Sequence, residues 1–279
     1  MQLKNSIKSI AIGSFDGIHK GHRVLINQVE AVVVIERNRG TLTAGYKRSY
    51  HIAKPIFFYH FEKIKMLSAK RFVKRLKEDF PKLKKIVVGY DFAFGYNKDG
   101  DSKVLKELFD GEVVVVDEVK AENISIHTRT VKEYLSLGKL KSVKALLGRN
   151  FILEGEVIKG QGLGKRELVP TLNLKVYDYY LPKNGVYASR TKINDLWLKS
   201  VTFLGHRVTT DGSFAIESYI LDRDIGIVSG LVEIEFIKFI RENRKFSSLE
   251  SLKEQIKKDI FIATRSHTER GNENDARDE

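Results

Sequence analysis

The stretch Ile10-Ala11-Ile12-Gly13-Ser14-Phe15-Asp16-Gly17-Ile18-His19-Lys20-Gly21-His22 decides how the first half of this chain folds. Residues 7–12 form a short, isoleucine-rich run stopped by Gly13, the pattern of a buried strand in a parallel sheet. From Lys20 onward Val24, Leu25, Val29 and Val32 recur at helical spacing, so a helix follows directly. That helix sets His19 and His22 on its first turn, on one side. Free backbone N–H groups and the positive dipole end favour an anion there, and two imidazoles add donors suited to a triphosphate. Gly17 and Gly21 let a ligand approach the backbone, and Gly13, Ser14, Phe15 and Asp16 complete the loop. Paired histidines also suit zinc, but the chain has no cysteine and no further ligand cluster near this loop. The plain alternative is a strand-to-helix connection with a polar cap.

With 279 residues the chain exceeds one compact domain, so two are expected, each able to bury a core. Hydrophobic residues at 42% and charged residues at 30% describe an ordinary globular protein. No apolar run approaches the roughly 20 residues needed to span a bilayer, and Met1-Gln2-Leu3-Lys4-Asn5 lacks the apolar core of a signal peptide. These features point to the cytoplasm. Absence of cysteine removes disulfides and thiol nucleophiles. Lys and Arg number 49 against 36 Asp and Glu, a formal charge of +13. Nucleic acid, anionic membrane and phosphate-rich small molecules all fit that charge. Much of it lies on solvated helix faces such as residues 70–85, with neither interleaved aromatics nor a reading helix.

Strand-like runs at residues 7–12, 32–35, 86–89 and 113–116 alternate with helical segments, which implies a parallel sheet covered by helices. Phe72, Val73, Leu76, Phe80 and Leu83 supply one such helix, and the polar residues 40–54 read as a loop over one edge of the site. Two short helices follow within residues 131–150, stopped by Gly138 and Gly148. The domain boundary is expected there, giving domains 1–147 and 148–263. Beyond it six alternating runs, at 152–158, 172–176, 186–192, 197–204, 214–221 and 231–237, are separated by turn residues and indicate a small antiparallel barrel. Ser247-Ser248-Leu249-Glu250 reads as a capping box for a closing helix whose face is Leu249, Leu252, Ile256 and Ile260. Residues 264–279 are expected to be a frayed tail. The fold class is therefore α/β: an N-terminal Rossmann-like parallel sheet, then a small antiparallel barrel with a closing helix.

Further candidates lie at other strand ends, where ligands of parallel sheets bind. Gly89-Tyr90-Asp91-Phe92-Ala93-Phe94-Gly95 runs a strand into an acid flanked by aromatics. Phe92 and Phe94 suit a planar ring and Asp91 suits a ring donor or magnesium, although periodicity alone fits core phenylalanines equally well. Gly160, Gly162 and Gly164 imitate a dinucleotide fingerprint, but Pro170 and a strand follow where a helix is required. A basic loop wrapping phosphates, with Lys165, or a plain hairpin remains. Glu217 has the chemistry of a general base, yet spacing does not separate it from Glu233 and Glu235.

Taken together these motifs resemble known families. Residues 13–22 resemble the HxGH signature of the nucleotidyltransferase superfamily in its FAD synthetase form. Residues 89–95 with Gly100-Asp101 are similar to that family's GxDFxFGxxxxGD segment. His127-Thr128-Arg129-Thr130-Val131-Lys132 aligns with a Ser-Ser-Thr-x-Ile-Arg segment, which implies ATP contacts for Thr128, Arg129 and Lys132 in altered form, and the family's Pro-His-Pro segment is missing. Pro170-Thr171-Leu172-Asn173 resembles the Pro-Thr-x-Asn motif of riboflavin kinases, which implies that Thr171 and Asn173 hold Mg²⁺. Leu181-Pro182 to Tyr187, the strand carrying Glu217, and Arg241 follow in the family's order. The resemblance spans residues 7–259 and implies a bifunctional riboflavin kinase/FAD synthetase. Riboflavin would become FMN and then FAD, each step using ATP and Mg²⁺. Glu217 would be the kinase base, and His19 and His22 would serve adenylyl transfer. Gly160, Gly162, Gly164 and Lys165 would bind ATP; Asp91, Phe92, Phe94, Tyr187 and Arg241 would bind flavin. Partners would be riboflavin, FMN and ATP, with no nucleic acid or membrane, and the chain would be a monomer. Two alternatives stand beside this: a monofunctional riboflavin kinase with a degenerate first domain, and a basic nucleic-acid-binding protein.

Overall fold

The isoleucine-rich run forms strand β1 (Ser9–Gly13), its central residues fully buried. The computed structural model describes residues 3–37, 41–121, 123–159, 170–209 and 212–275, with side chains as far as 268. After β1 come α1 (Lys20–Asn27), β2 (Ala31–Glu36), β3 (Ile56–His60), α2 (Ala69–Asp79), β4 (Lys85–Gly89), α3 (Ser102–Leu108), β5 (Glu112–Val116), α4 (Thr128–Ser136) and α5 (Leu140–Leu147). The sheet runs β3-β2-β1-β4-β5 with every pairing parallel. Parallel strands are buried on both faces, hence their continuous apolar runs. Ala11, Val32, Val34 and Val87 meet Leu25 and Ile26 of α1 on one face. On the other, Ile10, Ile12, Ile86 and Val88 meet Phe72, Val73 and Leu76 of α2 and Leu105 of α3. Strand order reverses between β1 and β4, and a crevice opens at the carboxyl ends of strands at such a point. β3 was not among the runs read from sequence.

The chain divides into two compact units: residues 1–131 with 146–148, and residues 132–145 with 149–279. Most of α4 and α5 thus belongs with the second unit, whereas a boundary at 147/148 would assign them to the first. All six expected barrel strands form: β6 (Phe151–Ile158), β7 (Leu172–Lys175), β8 (Gly185–Ile193), β9 (Leu196–His206), β10 (Phe214–Ile220) and β11 (Leu231–Arg241). They close in the order β6-β7-β10-β9-β8-β11, each neighbour antiparallel. The interior holds Phe236, Ile234 and Tyr187 together with a seam of buried hydroxyls. Ser189 bonds Ser200 and Thr202 at 2.8 and 2.7 Å, and Thr191 bonds Ser218 at 2.7 Å, so each is satisfied without water.

The closing helix α6 (Leu249–Asp275) forms, but its cap differs from the expected box. Ser248 Oγ accepts the Ser251 N–H at 3.2 Å and Ser251 Oγ accepts the Ser248 N–H at 3.3 Å, so the reciprocal pair sits one residue later and uses a serine in place of Glu250. Leu249 points outward at 40% exposure, leaving Ile260 and Ala263 to pack on the barrel. Helix also replaces the frayed tail expected from Thr264: Ser266 and His267 are buried, and an apolar-poor segment is held by extending a helix already anchored.

Candidate functional site

In the first unit the loop after β1 is built from uncommon backbone. Phe15 and Ile18 have φ of 46° and 42°, and Gly17 has φ of 86°. Bulky residues there cost of order 1–3 kcal/mol each. Both side chains are fully buried in the sheet core, which offsets that cost by about 1.5–3 kcal/mol apiece. Phe15 is therefore an anchor beneath the loop, its ring edge-on to His22 at 5.2 Å. The Asp16 carboxylate accepts the backbone N–H of Leu42 at 2.7 Å and of Thr43 at 3.0 Å, while the Gly17 N–H donates to Thr43 Oγ1 at 2.7 Å. Asp16 is thus engaged by protein, and its carbonyl accepts the Thr128 hydroxyl at 2.9 Å. Gly13 ends β1, Ser14 follows it, and Gly21 lies in the first turn of α1.

His19 is the N-cap of α1, one step before the first turn on which it was expected. Its Nδ1 accepts the His22 N–H at 3.2 Å, so the neutral ring carries its proton on Nε2 as a donor. The two imidazoles stack with centroids 3.5 Å apart and planes at 18°. His22 Nδ1 is buried with no hydrogen-bond partner among the described residues. Burial, reinforced by His19, Arg48 and His127, holds the His22 pKa well below its usual value, so the ring is neutral at neutral pH.

Other expected residues divide. Thr128 joins the loop, and Arg129 is exposed on the same first turn of α4. Lys132 falls in the second unit, with its ammonium 5.5 Å from the Tyr180 ring centroid. Asp91 is exposed just past β4, and Phe92 is half-buried. Phe94 is 7% exposed and packs on Phe72 and Phe92, so it is core and not an open wall for a ring. Asp101 caps α3 by accepting the Lys103 and Val104 N–H groups at 2.9 Å.

Sequence reasoning missed three residues here. Arg48, 1% exposed, lies on a single 3₁₀ helix (Gly45–Tyr50) inside the segment expected to be a loop. It pairs with Glu36 Oε2 at 2.6 Å. His127 stands at the start of α4, its Nε2 3.2 Å from the Tyr90 hydroxyl and 3.5 Å from Glu118 Oε1. None carried a local signal, because their partners are distant in sequence.

In the second unit Asn173 of β7 stands opposite Glu217 of β10. Arg207, just past β9, ties them: Nε and Nη2 donate to Glu217 Oε1 at 2.9 and 2.6 Å, and Nη2 also donates to Asn173 Oδ1 at 2.7 Å. Nη1 reaches Ser213 Oγ at 2.8 Å. Thr171 precedes β7, its carbonyl 3.5 Å from Asn173 Nδ2. The oxygens of Asn173 and Glu217 thus converge on one cation, here a guanidinium. Arg207 was not anticipated, because a turn arginine looks like solvent-facing charge. Glu233 and Glu235 are instead paired with Lys192 and Arg190, so tertiary contacts separate Glu217 from them. Of the expected flavin residues, Tyr187 is fully buried between Phe236 and Phe239 with its hydroxyl on the Lys183 carbonyl, and Arg241 pairs with Asp259 by bonds of 2.7–3.0 Å. Gly160, Gly162, Gly164 and Lys165 lie outside the described residues.

Fold and clusters together define a two-module protein, a parallel α/β unit with a histidine-bearing loop at a sheet switch point followed by a six-stranded barrel on which Asn173, Arg207 and Glu217 meet. Comparison with known proteins makes this specific. A family described as FAD synthetase matches residues 44–130, and one described as riboflavin kinase matches residues 147–267. The bifunctional riboflavin kinase/FMN adenylyltransferase of Buchnera aphidicola subsp. Acyrthosiphon pisum is 30% identical over 92% of this chain and 93% of its own length. Those of Listeria monocytogenes and Escherichia coli K12 are 27% and 25% identical, covering about nine-tenths of both chains. A crystal structure described as a macrolide-efflux protein from Streptococcus pneumoniae superposes with a TM-score of 0.80 at 25% identity, over 94% of this chain and 96% of that one. Its name denotes another activity; among the described residues here no helix is long and apolar enough to cross a membrane. The chain belongs to the bifunctional riboflavin kinase/FMN adenylyltransferase family.

Proposed function

We propose that this chain phosphorylates riboflavin to FMN in its second unit and adenylylates FMN to FAD in its first, each with a separate ATP. The observation that carries the reading is the presence in one chain of both clusters: stacked imidazoles on a strained loop at a sheet switch point, and a carboxylate beside an amide oxygen on a barrel. In the first unit the N–H groups of Lys20 and Gly21 at the start of α1 and the Nε2 proton of His19 hold the triphosphate. An FMN phosphate oxygen attacks the α-phosphorus in line and pyrophosphate leaves. His22, neutral in the free protein, gains a proton more readily beside a phosphate anion and then balances the charge that builds on the leaving group. Thr128 and Arg129 add a hydroxyl and a guanidinium from α4, and Asp91 with Phe92 receives the flavin.

In the second unit Glu217 takes the proton of the ribityl 5′-hydroxyl as the γ-phosphoryl group arrives. Thr171 and Asn173 offer oxygen donors, and Asn173 Oδ1 already faces a cation. That fits Mg²⁺, which when bound neutralises phosphate charge. Arg207 keeps Glu217 oriented before nucleotide binds, and its planar fork also suits phosphate oxygens. By the family resemblance, Gly160, Gly162, Gly164 and Lys165 would contact ATP. On this reading the protein is a cytoplasmic monomer acting on small molecules, with no nucleic acid or membrane partner.

The test is to incubate purified protein with riboflavin and Mg-ATP and to separate the flavins by chromatography. FMN and then FAD should appear. FMN alone would leave a monofunctional kinase, and neither product would overturn the reading. His22→Ala should abolish FAD formation and spare FMN formation. Glu217→Gln should slow FMN formation by about 10²–10⁴-fold with flavin binding retained.

A further inference from the structure

Residues 41–50 grip the anion loop at successive points. Arg48 Nε donates to the Ser14 carbonyl at 3.1 Å, and its Nη1 donates to Glu36 Oε2 at 2.6 Å and to the Gly45 carbonyl at 3.2 Å. Asp16 is held by the N–H groups of Leu42 and Thr43, and Gly17 by the Thr43 hydroxyl. The gripped residues include the left-handed backbone of Phe15 and Gly17. Such conformations persist only where the surroundings over-determine them.

The ion pair is also poorly explained as a stability device. Both ions are almost fully out of water, and desolvation can exceed the attraction between such partners. Burial pushes Glu36 above and Arg48 below their usual pKa values, each against the pull of the other. What this pair does is fix a backbone carbonyl two residues before Asp16.

We propose that Arg48 and Thr43 are positioning residues for adenylyl transfer, holding the backbone of residues 14–17 in the one arrangement that presents the stacked imidazoles and the first turn of α1 to a nucleotide phosphate. Neither touches the reacting atoms. The inference rests on the reading of the first unit as an adenylyltransferase. It gives the segment between β2 and β3, which lacks the family's Pro-His-Pro, its own way of shaping the loop.

Two variants of the full chain test it. Thr43→Val keeps shape and removes the hydroxyl that accepts the Gly17 N–H; Arg48→Lys keeps charge and removes the fork that reaches Ser14. Amide exchange of the peptide spanning residues 13–22 is measured, together with kcat and KM for FAD formation from FMN and Mg-ATP. FMN formation from riboflavin in the same preparation is the internal control. Losing one buried hydrogen bond should speed exchange in that peptide about five- to tenfold in Thr43→Val. Adenylyl-transfer kcat should fall about tenfold or more in each variant, as expected when a loop is misplaced, with KM for FMN within about twofold. Riboflavin phosphorylation should be unchanged.

Wild-type exchange and kcat in both variants would overturn the proposal, as would equal loss of both activities, which marks general damage. A wild-type chain that forms no FAD would count against the adenylyltransferase reading, and the exchange measurement would still decide whether these residues hold the loop.

Discussion

Removing one partner of the Arg48–Glu36 pair separates its structural from its functional role. In Arg48→Met, Glu36 remains 7% exposed with no cation, and the carbonyls of Ser14 and Gly45 each lose a donor. Breaking a buried pair in this way costs about 3–5 kcal/mol. Glu36→Leu should be similar, because it strands a guanidinium that is 1% exposed. The double variant Glu36→Leu/Arg48→Met removes both charges. What remains is two orphaned carbonyls at about 1 kcal/mol each, partly recovered by apolar packing, so net destabilisation should be about 0–2 kcal/mol. The two substitutions should therefore couple by several kcal/mol.

Urea unfolding read by far-UV circular dichroism follows both units, while the fluorescence of the one tryptophan, Trp197 on β9, follows the barrel alone. Only the first signal should shift in the single variants, and it should largely return in the double. FAD formation should not return with it, since Ser14 still lacks its donor. Single variants that lose less than about 1 kcal/mol would refute the energetic argument. A double variant that regains both stability and FAD formation would show that the pair merely supports the fold.

Two further outcomes follow from the same contacts. His22 has a folded pKa below the unfolded value of 6.5, so above that pH neither state binds the proton; below it the unfolded state binds one that the folded state refuses. Stability of the first unit should therefore fall by up to about 1.4 kcal/mol per pH unit between 6.5 and the folded pKa. The comparison is urea midpoints at several pH values for wild type and His22→Gln, and equal slopes would contradict it. In the barrel, Arg207→Gln removes the fork from Glu217 and Asn173 and should lower kcat for riboflavin phosphorylation about 10–100-fold, as a misplaced catalytic group does, with flavin affinity unchanged. Full activity in that variant would exclude a role for Arg207.

What sequence alone determined was most of what short-range pattern governs, with β3 and the cap of α6 the exceptions. A β-branched run stopped by glycine makes a buried strand, period-two alternation broken by turn residues makes an antiparallel barrel, and His19-Lys20-Gly21-His22 must straddle a helix start. These are properties of a few neighbouring residues, so six barrel strands and the histidine loop were legible. Other assignments depended on partners far along the chain. Phe94 and Tyr187 are packed by core aromatics that lie elsewhere along the chain, and Arg241 is paired with Asp259 of α6. Arg48, within a polar aperiodic segment, gave no local sign that it would be buried beneath the anion loop, 34 residues from the carbonyl it holds. Glu217 could not be told from Glu233 and Glu235 by spacing; salt bridges to Lys192 and Arg190 on one side, and Arg207 with Asn173 on the other, separate them. A charged or aromatic side chain has the same local preferences whether it serves a core or a site, and only the residues that the fold brings against it decide which.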